Sequence, residues 1–156
     1  MLQSTFWLSP SPFVAPVSIL LLRRSSDGSQ QTHRLAGGWR QRGESHFLRY
    51  ELPVDPTEST TGSRTVLKLH PASLELFQYG ELQWHHTFVQ GKSTADLVFQ
   101  GASVPMQVHT LRVRIRVHPF GGRVDLMYRL DWQGFQEEVD LQMEFSVIES
   151  RSQSQS

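Results

Sequence analysis

LRVRIRVHPFGGRVDLMYRLDWQGFQEEVDLQMEFSV, residues 111–147, decides the class of fold. Leu111, Val113, Ile115 and Val117 alternate with Arg112, Arg114 and Arg116, so an extended chain here has one apolar and one cationic face. After a turn at residues 119–122 the same period resumes, with Val124, Leu126, Tyr128 and Leu130 set against Asp125, Met127 and Arg129. A second turn near Gln133-Gly134 leads to Val139, Leu141, Met143, Phe145 and Val147, interleaved with Glu138, Asp140, Gln142, Glu144 and Ser146. A period of two sorts residues to opposite faces only in a strand. Three long strands joined by short turns make an antiparallel meander.

Working outward, segments 17–24, 31–39, 46–52, 64–70, 74–79, 82–89 and 94–100 carry the same alternation less cleanly, bounded by Gly-, Pro- and Ser-rich turns. Ten strand candidates and no helix of ordinary length predict an all-β domain. A single antiparallel meander that closes into a β-barrel removes the exposed edges an open sheet would leave. Gly37-Gly38, Gly101 and Gly121-Gly122 are the expected sites of bends, bulges or turns. The expected organisation is an irregular Pro-rich leader at residues 1–16, a barrel at 17–149 and a disordered polar tail at 150–156, with 53–63 as the longest loop.

The 156 residues carry 15 basic and 15 acidic side chains, a formal net charge of zero, which argues against a nucleic-acid partner. Cysteine is absent, so disulfides, thiolate metal sites and a cysteine nucleophile are excluded; asparagine is absent too, and with it any N-glycosylation acceptor. Residues 6–22 are apolar, but Arg23 and Arg24 follow that run where a secretory signal would have basic residues before it. Pro10, Pro12 and Pro16 would break a spanning helix, and the uninterrupted apolar run 19–22 is too short to cross a bilayer. No membrane partner is therefore expected, and the expected address is the cytoplasm.

The succession Tyr50-Glu51, Thr65-Val66-Leu67-Lys68-Leu69, Leu74-Glu75-Leu76, Tyr79-Gly80 and Thr87-Phe88-Val89-Gln90-Gly91 continues through Thr110 to Gly122-Arg123-Val124-Asp125-Leu126-Met127-Tyr128-Arg129-Leu130. This order resembles the YwiB-like bacterial proteins, a domain-of-unknown-function family, over residues 17–148. The resemblance implies a lipocalin-like (calycin-like) β-barrel in a bacterial, cytoplasmic setting. It brings no activity, cofactor or catalytic residue to carry over. Gln78 stands where that family commonly has arginine, and the glycine before the strand leading to Thr110 is displaced to Gly101.

Seven histidines invite a search for metal, but adjacent His85 and His86 point to opposite faces of a strand and cannot share an ion. His86 is in register with Leu82, Trp84 and Phe88 and is expected inside; His109 is expected inside with Leu111 and Val113. Two inward histidines can form a ligand pair or proton relay, although a histidine hydrogen-bonded within the core is the commoner arrangement. The stripe Arg112, Arg114, Arg116 suggests phosphate recognition, whereas acidic residues on the next two strands suggest a charge-balanced wall. Paired Glu137-Glu138 are expected in or beside outward positions. No nucleophile elbow, P-loop, dinucleotide fingerprint or zinc helix occurs, so no catalytic residue, metal ligand or cofactor is assigned.

What remains is the aromatic lining. Trp39, Tyr50, Trp84, Phe88, Tyr128 and Phe145 all have inward register, and Trp39, Tyr50, Trp84, His86, Phe88, His109 and Tyr128 form the candidate ligand-binding set. The expected function is non-enzymatic binding of a small apolar ligand in the interior. The alternative is a filled barrel that serves as a structural or protein-interaction module, with self-association open to either.

Overall fold

In the computed structural model, residues 14–52, 63–80, 82–99 and 101–148 are described. They form ten strands: β1 Val14–Ser25, β2 Gln30–Arg42, β3 Ser45–Leu52, β4 Ser63–Leu69, β5 Ser73–Tyr79, β6 Trp84–Val89, β7 Ser93–Phe99, β8 Ser103–His118, β9 Gly121–Trp132 and β10 Phe135–Val147. Each expected strand is present, and β1 begins at Val14, three residues inside the expected leader. The rest of that leader, the loop at 53–62 and the expected tail lie outside the described residues.

Every ladder is antiparallel, in the order β6-β5-β4-β3-β2-β1-β10-β9-β8-β7. The first and last strands pair over nine positions, from Val17↔Val147 to Ser25↔Val139, so one seam of the meander is closed by a full ladder. The other seam, between β6 and β7, departs from the expectation that consecutive strands pair. Among the described residues a single bridge, Gln83↔Phe99, joins them, with Gln83 N donating to Phe99 O at 2.8 Å and Phe99 N donating to Gln83 O at 3.0 Å. At its other end the β6–β7 turn is tied instead to β8, where Gly91 N donates to Thr110 O and Thr110 N to Lys92 O. The result is an all-β antiparallel meander barrel, nearly closed.

Apolar burial follows the strand period. Val17, Ile19 and Leu21 on β1 face Val139, Met143 and Phe145 on β10 and Val124, Leu126 and Tyr128 on β9, all inside. Leu48, Leu67, Leu69, Leu74 and Phe88 line the opposite wall at 2% exposure or less. Fully burying each such side chain contributes roughly 1.5–3 kcal/mol, so the interior is the dominant stabilising element. Tight curvature needs strands to approach closely where a side chain would intervene. A Cβ on Gly37 would lie 2.4 Å from Arg49 O and 2.7 Å from Ile19 Cδ1; one on Gly121 would lie 2.1 Å from Phe145 O. Glycine at these two positions lets β2 and β9 bend onto their neighbours.

A β-bulge between Thr110 and Arg112 reorganises β8. Before it Met106, Val108 and Thr110 point inward; after it Val113, Ile115 and Val117 do, because Leu111 is an extra residue on this strand. Past the end of the β7–β8 ladder at His109, the Val113 amide donates to Gln90 Oε1 at 3.1 Å. This shift of phase overturns the inward placement of His109.

Candidate functional site

Six of the seven residues expected to line the interior are there. Trp39, Tyr50, Trp84, His86, Phe88 and Tyr128 are all buried. His109 is not: with the bulge beyond it, it occupies an outward position opposite Arg129 and bonds through Nδ1 to the Ser93 hydroxyl at 2.5 Å. The uninterrupted alternation from His109 to Val117 hid the extra residue.

One polar cluster of the interior is at the open seam. Asp96 on β7 points inward, in phase with Val98, and its Oδ2 accepts two hydrogen bonds from β6: Trp84 Nε1 at 2.8 Å and His86 Nδ1 at 2.5 Å. Side chains thus span a gap that backbone ladders do not. The His86 side chain is only 3% exposed. Burial holds its imidazole below the ordinary histidine range, outweighing the opposing pull of the Asp96 charge. In the neutral ring Nδ1–H faces Asp96, which leaves Nε2 as an unprotonated acceptor on the inward face; it makes no hydrogen bond to a described residue. His85, one residue earlier, points outward, stacks on Phe77 at 4.4 Å and bonds Glu75 Oε2 at 2.8 Å.

Around His86 the rings are in contact: His86 to Phe88 at 4.5 Å, Trp84 to His86 at 5.7 Å, Phe88 to Tyr128 at 4.9 Å and Trp84 to Tyr128 at 6.3 Å between centroids. Tyr128 belongs to β9, so the two walls of the barrel meet here. Burial pushes the Tyr128 phenol up to about 12, with Arg23 pulling it down and Glu137 pushing it further up. Tyr50 is raised further, again by burial and against a hydrogen bond from Thr65, so both phenols keep their protons at neutral pH. A second aromatic group, Trp39 with Phe145 at 5.2 Å, includes a hydrogen bond from Trp39 Nε1 to His46 Nδ1 at 3.1 Å.

Two further polar groups lie in inward register. Arg23 continues the phase of Val17, Ile19 and Leu21 and pairs with Glu137 Oε2 at 3.4 Å; the Ser25 hydroxyl donates to the same oxygen. Glu137 was expected in or beside outward positions; it is inward, in phase with Val139 and Met143, whereas Glu138 is outward and pairs with Arg129. Sequence reasoning missed Asp96, Arg23 and Glu137, because charged residues were assigned outward. The signal that locates them is phase: each is two residues from a buried apolar neighbour. Among the described residues no three His, Cys, Asp or Glu side chains converge as a metal site.

A chain with this fold and this interior can be set beside known proteins. The sequence profile of a family described as "Domain of unknown function (DUF1934)" matches residues 21–144. The chain belongs to this family. Its fold is similar to that of the YwiB protein from Bacillus subtilis, whose crystal structure matches with a TM-score of 0.72 at 16% identity, over 87% of this chain and 94% of that one. The resemblance to the YwiB-like domain-of-unknown-function family read from the strands is thus shown, and at this identity the structural likeness speaks for the barrel alone. No curated protein matches the chain. Among the described residues no helix is long and apolar enough to cross a membrane.

Proposed function

We propose that this DUF1934 barrel binds a small, largely apolar ligand that carries one hydrogen-bond donor, held in the interior with the donor on His86 Nε2. The observation that supports this reading is the buried imidazole nitrogen without a hydrogen-bond partner among the described residues. Leaving such an acceptor unmet costs about 1–3 kcal/mol, so a water or a ligand hydroxyl or N–H is favoured there. The aromatics add to the case: Trp39, Tyr50, Trp84 and Tyr128 keep 7–8% exposure, while Val17, Leu48, Val108 and Val124 keep none. Aromatic walls with a few fixed polar groups are the usual lining of an organic-ligand site. The calycin-like function class and a bacterial, cytoplasmic setting belong to the same proposal.

The test is fluorescence titration with the neutral apolar probe N-phenyl-1-naphthylamine. Saturable binding that quenches the interior tryptophans and weakens on replacing His86 with Phe supports the proposal. Probe binding unaffected by Trp84→Phe and His86→Phe counts against it.

One observation favours a second reading, a protein-interaction module. Leu97 and Phe99 lie on the outer face of the edge strand β7 at 70% and 47% exposure, and unpaired apolar edges recruit other chains. Concentration-dependent association that disappears in Leu97→Glu would support this reading. A monomer at all concentrations would remove its self-association form.

A further inference from the structure

The outer wall of β8 was expected to be balanced by acids on β9 and β10; Arg114 does stand opposite Asp125, but the last arginine of the stripe, past the bulge, does not meet an acid. Here the cross-strand row runs Arg116, Arg123, Glu144, Leu20, Arg34 over β8, β9, β10, β1 and β2. Two arginines directly opposite one another destabilise a sheet unless something offsets their charge. Arg123 is offset, by Asp125 at 3.3 Å and Glu144 at 3.0 Å. Arg116 and Arg34 are not: neither has a carboxylate within ion-pair distance among the described residues.

These side chains border one concavity. Ser18, Leu20, Ser146 and Gly122 form its low floor, and Arg34, Arg116, Arg123 and His118 rise around a groove of about 510 Å³. Glu144 also borders the groove, but its charge is taken up by Arg123. The groove lining therefore carries three guanidinium groups against one carboxylate, with Asp125 beside Arg123, on a chain whose net charge is zero.

We propose that this groove binds a phosphate-bearing anion between Arg34 and Arg116. Planar guanidinium forks match phosphate oxygens in pairs, which ammonium groups do not, and the Ser18 and Ser146 hydroxyls add neutral donors on the floor. The site is on the outer wall and is independent of the interior site. Arg114 and Arg112 continue from Arg116 along β8 at a spacing of about 6.6–6.8 Å, so a longer polyanion would extend along that stripe.

Isothermal titration at low ionic strength with inorganic pyrophosphate tests the site, using the full chain, the Arg34→Gln/Arg116→Gln variant and an Arg24→Gln/Arg42→Gln control of equal charge. All four residues belong to exposed or half-buried outer positions, so thermal midpoints should stay unchanged. The expected result is saturable binding, weakened about tenfold or more in the groove variant and less than about threefold in the control. Glu144→Gln, which removes the carboxylate bordering the groove and leaves Arg123 paired with Asp125 alone, should tighten it. No saturable binding, or equal losses in groove variant and control, overturns the proposal. An oligothymidylate of about ten nucleotides separates the two sources of phosphate. Affinity no greater than that of pyrophosphate assigns the groove to a small phosphorylated ligand, whereas a gain that Arg112→Gln/Arg114→Gln abolishes assigns it to a single strand. Oligothymidylate binding that pyrophosphate cannot displace overturns the groove as the site.

Discussion

Replacing Asp96 with Ala removes the acceptor of two buried donors, Trp84 Nε1 at 2.8 Å and His86 Nδ1 at 2.5 Å, at the β6–β7 seam, where the described residues form a bridge and no ladder. Each orphaned donor costs about 1–3 kcal/mol, so two cost about 2–6 kcal/mol. The Asp96 side chain is 16% exposed, and water entering beside it relieves part of that, which places the expected loss at about 2–4 kcal/mol. The assay is urea unfolding. With a slope of about 2 kcal/mol/M, the midpoint should fall by about 1–2 M. Amide exchange should also quicken at residues 84–89 and 93–99 ahead of β9 and β10, because the seam opens before the ladders do. Leu97→Ala, at an outward position 70% exposed, is the control and should shift the midpoint by little. A shift below about 0.3 M for Asp96→Ala, or exchange that quickens uniformly, would refute the view that this carboxylate clasps the barrel.

Three further outcomes are expected. His86 and His46 both have pKa values lowered by burial, so below pH 6.5 the unfolded chain binds protons that the folded chain does not; stability is full above pH 6.5 and is lost as pH falls below it. Urea midpoints measured from pH 8 to pH 5 should show this decline, and His86→Phe should flatten it. Gly121→Ala, whose Cβ would meet Phe145 O at 2.1 Å, should lower stability by about 1–3 kcal/mol, read by thermal unfolding, whereas Ala at the open turn position Gly43 should be limited to the milder cost of its φ of +63°. His109→Ala should cost less than about 1 kcal/mol in the same measurement and leave interior probe binding unchanged, because His109 is on the outer wall.

The strands were legible because most of the chain obeys a period of two; β9 and β10 show it without a break, from Val124 to Tyr128 and from Val139 to Phe145. The interior aromatics followed from that phase. Two kinds of local exception escaped it. In β8 an extra residue, Leu111, inverts the phase without any glycine to announce it, so His109 was placed on the wrong face; of the arginine stripe, Arg114 does meet an expected acid, Asp125, whereas Arg112 stands opposite Met127 and Arg116 opposite Arg123. In β7 hydropathy favours Leu97 and Phe99 as the buried pair, yet Asp96 and Val98 turn inward. The hydrogen bonds from Trp84 and His86 offset the desolvation of the Asp96 carboxylate, a long-range compensation invisible in seven consecutive residues. Arg23 and Glu137 are inward for the same reason, each satisfied by the other across β1 and β10.

The central claim, that the interior of this barrel is a binding chamber, is tested most directly by native mass spectrometry of freshly purified protein against its denatured mass. An occupied interior gives a reproducible added organic mass that vanishes on denaturation and is absent from His86→Phe, with the apo protein taking up N-phenyl-1-naphthylamine in its place. A protein that carries no added mass and takes up no probe would contradict the claim, and would mean that the aromatic walls meeting at Phe88 and Tyr128 close the interior completely.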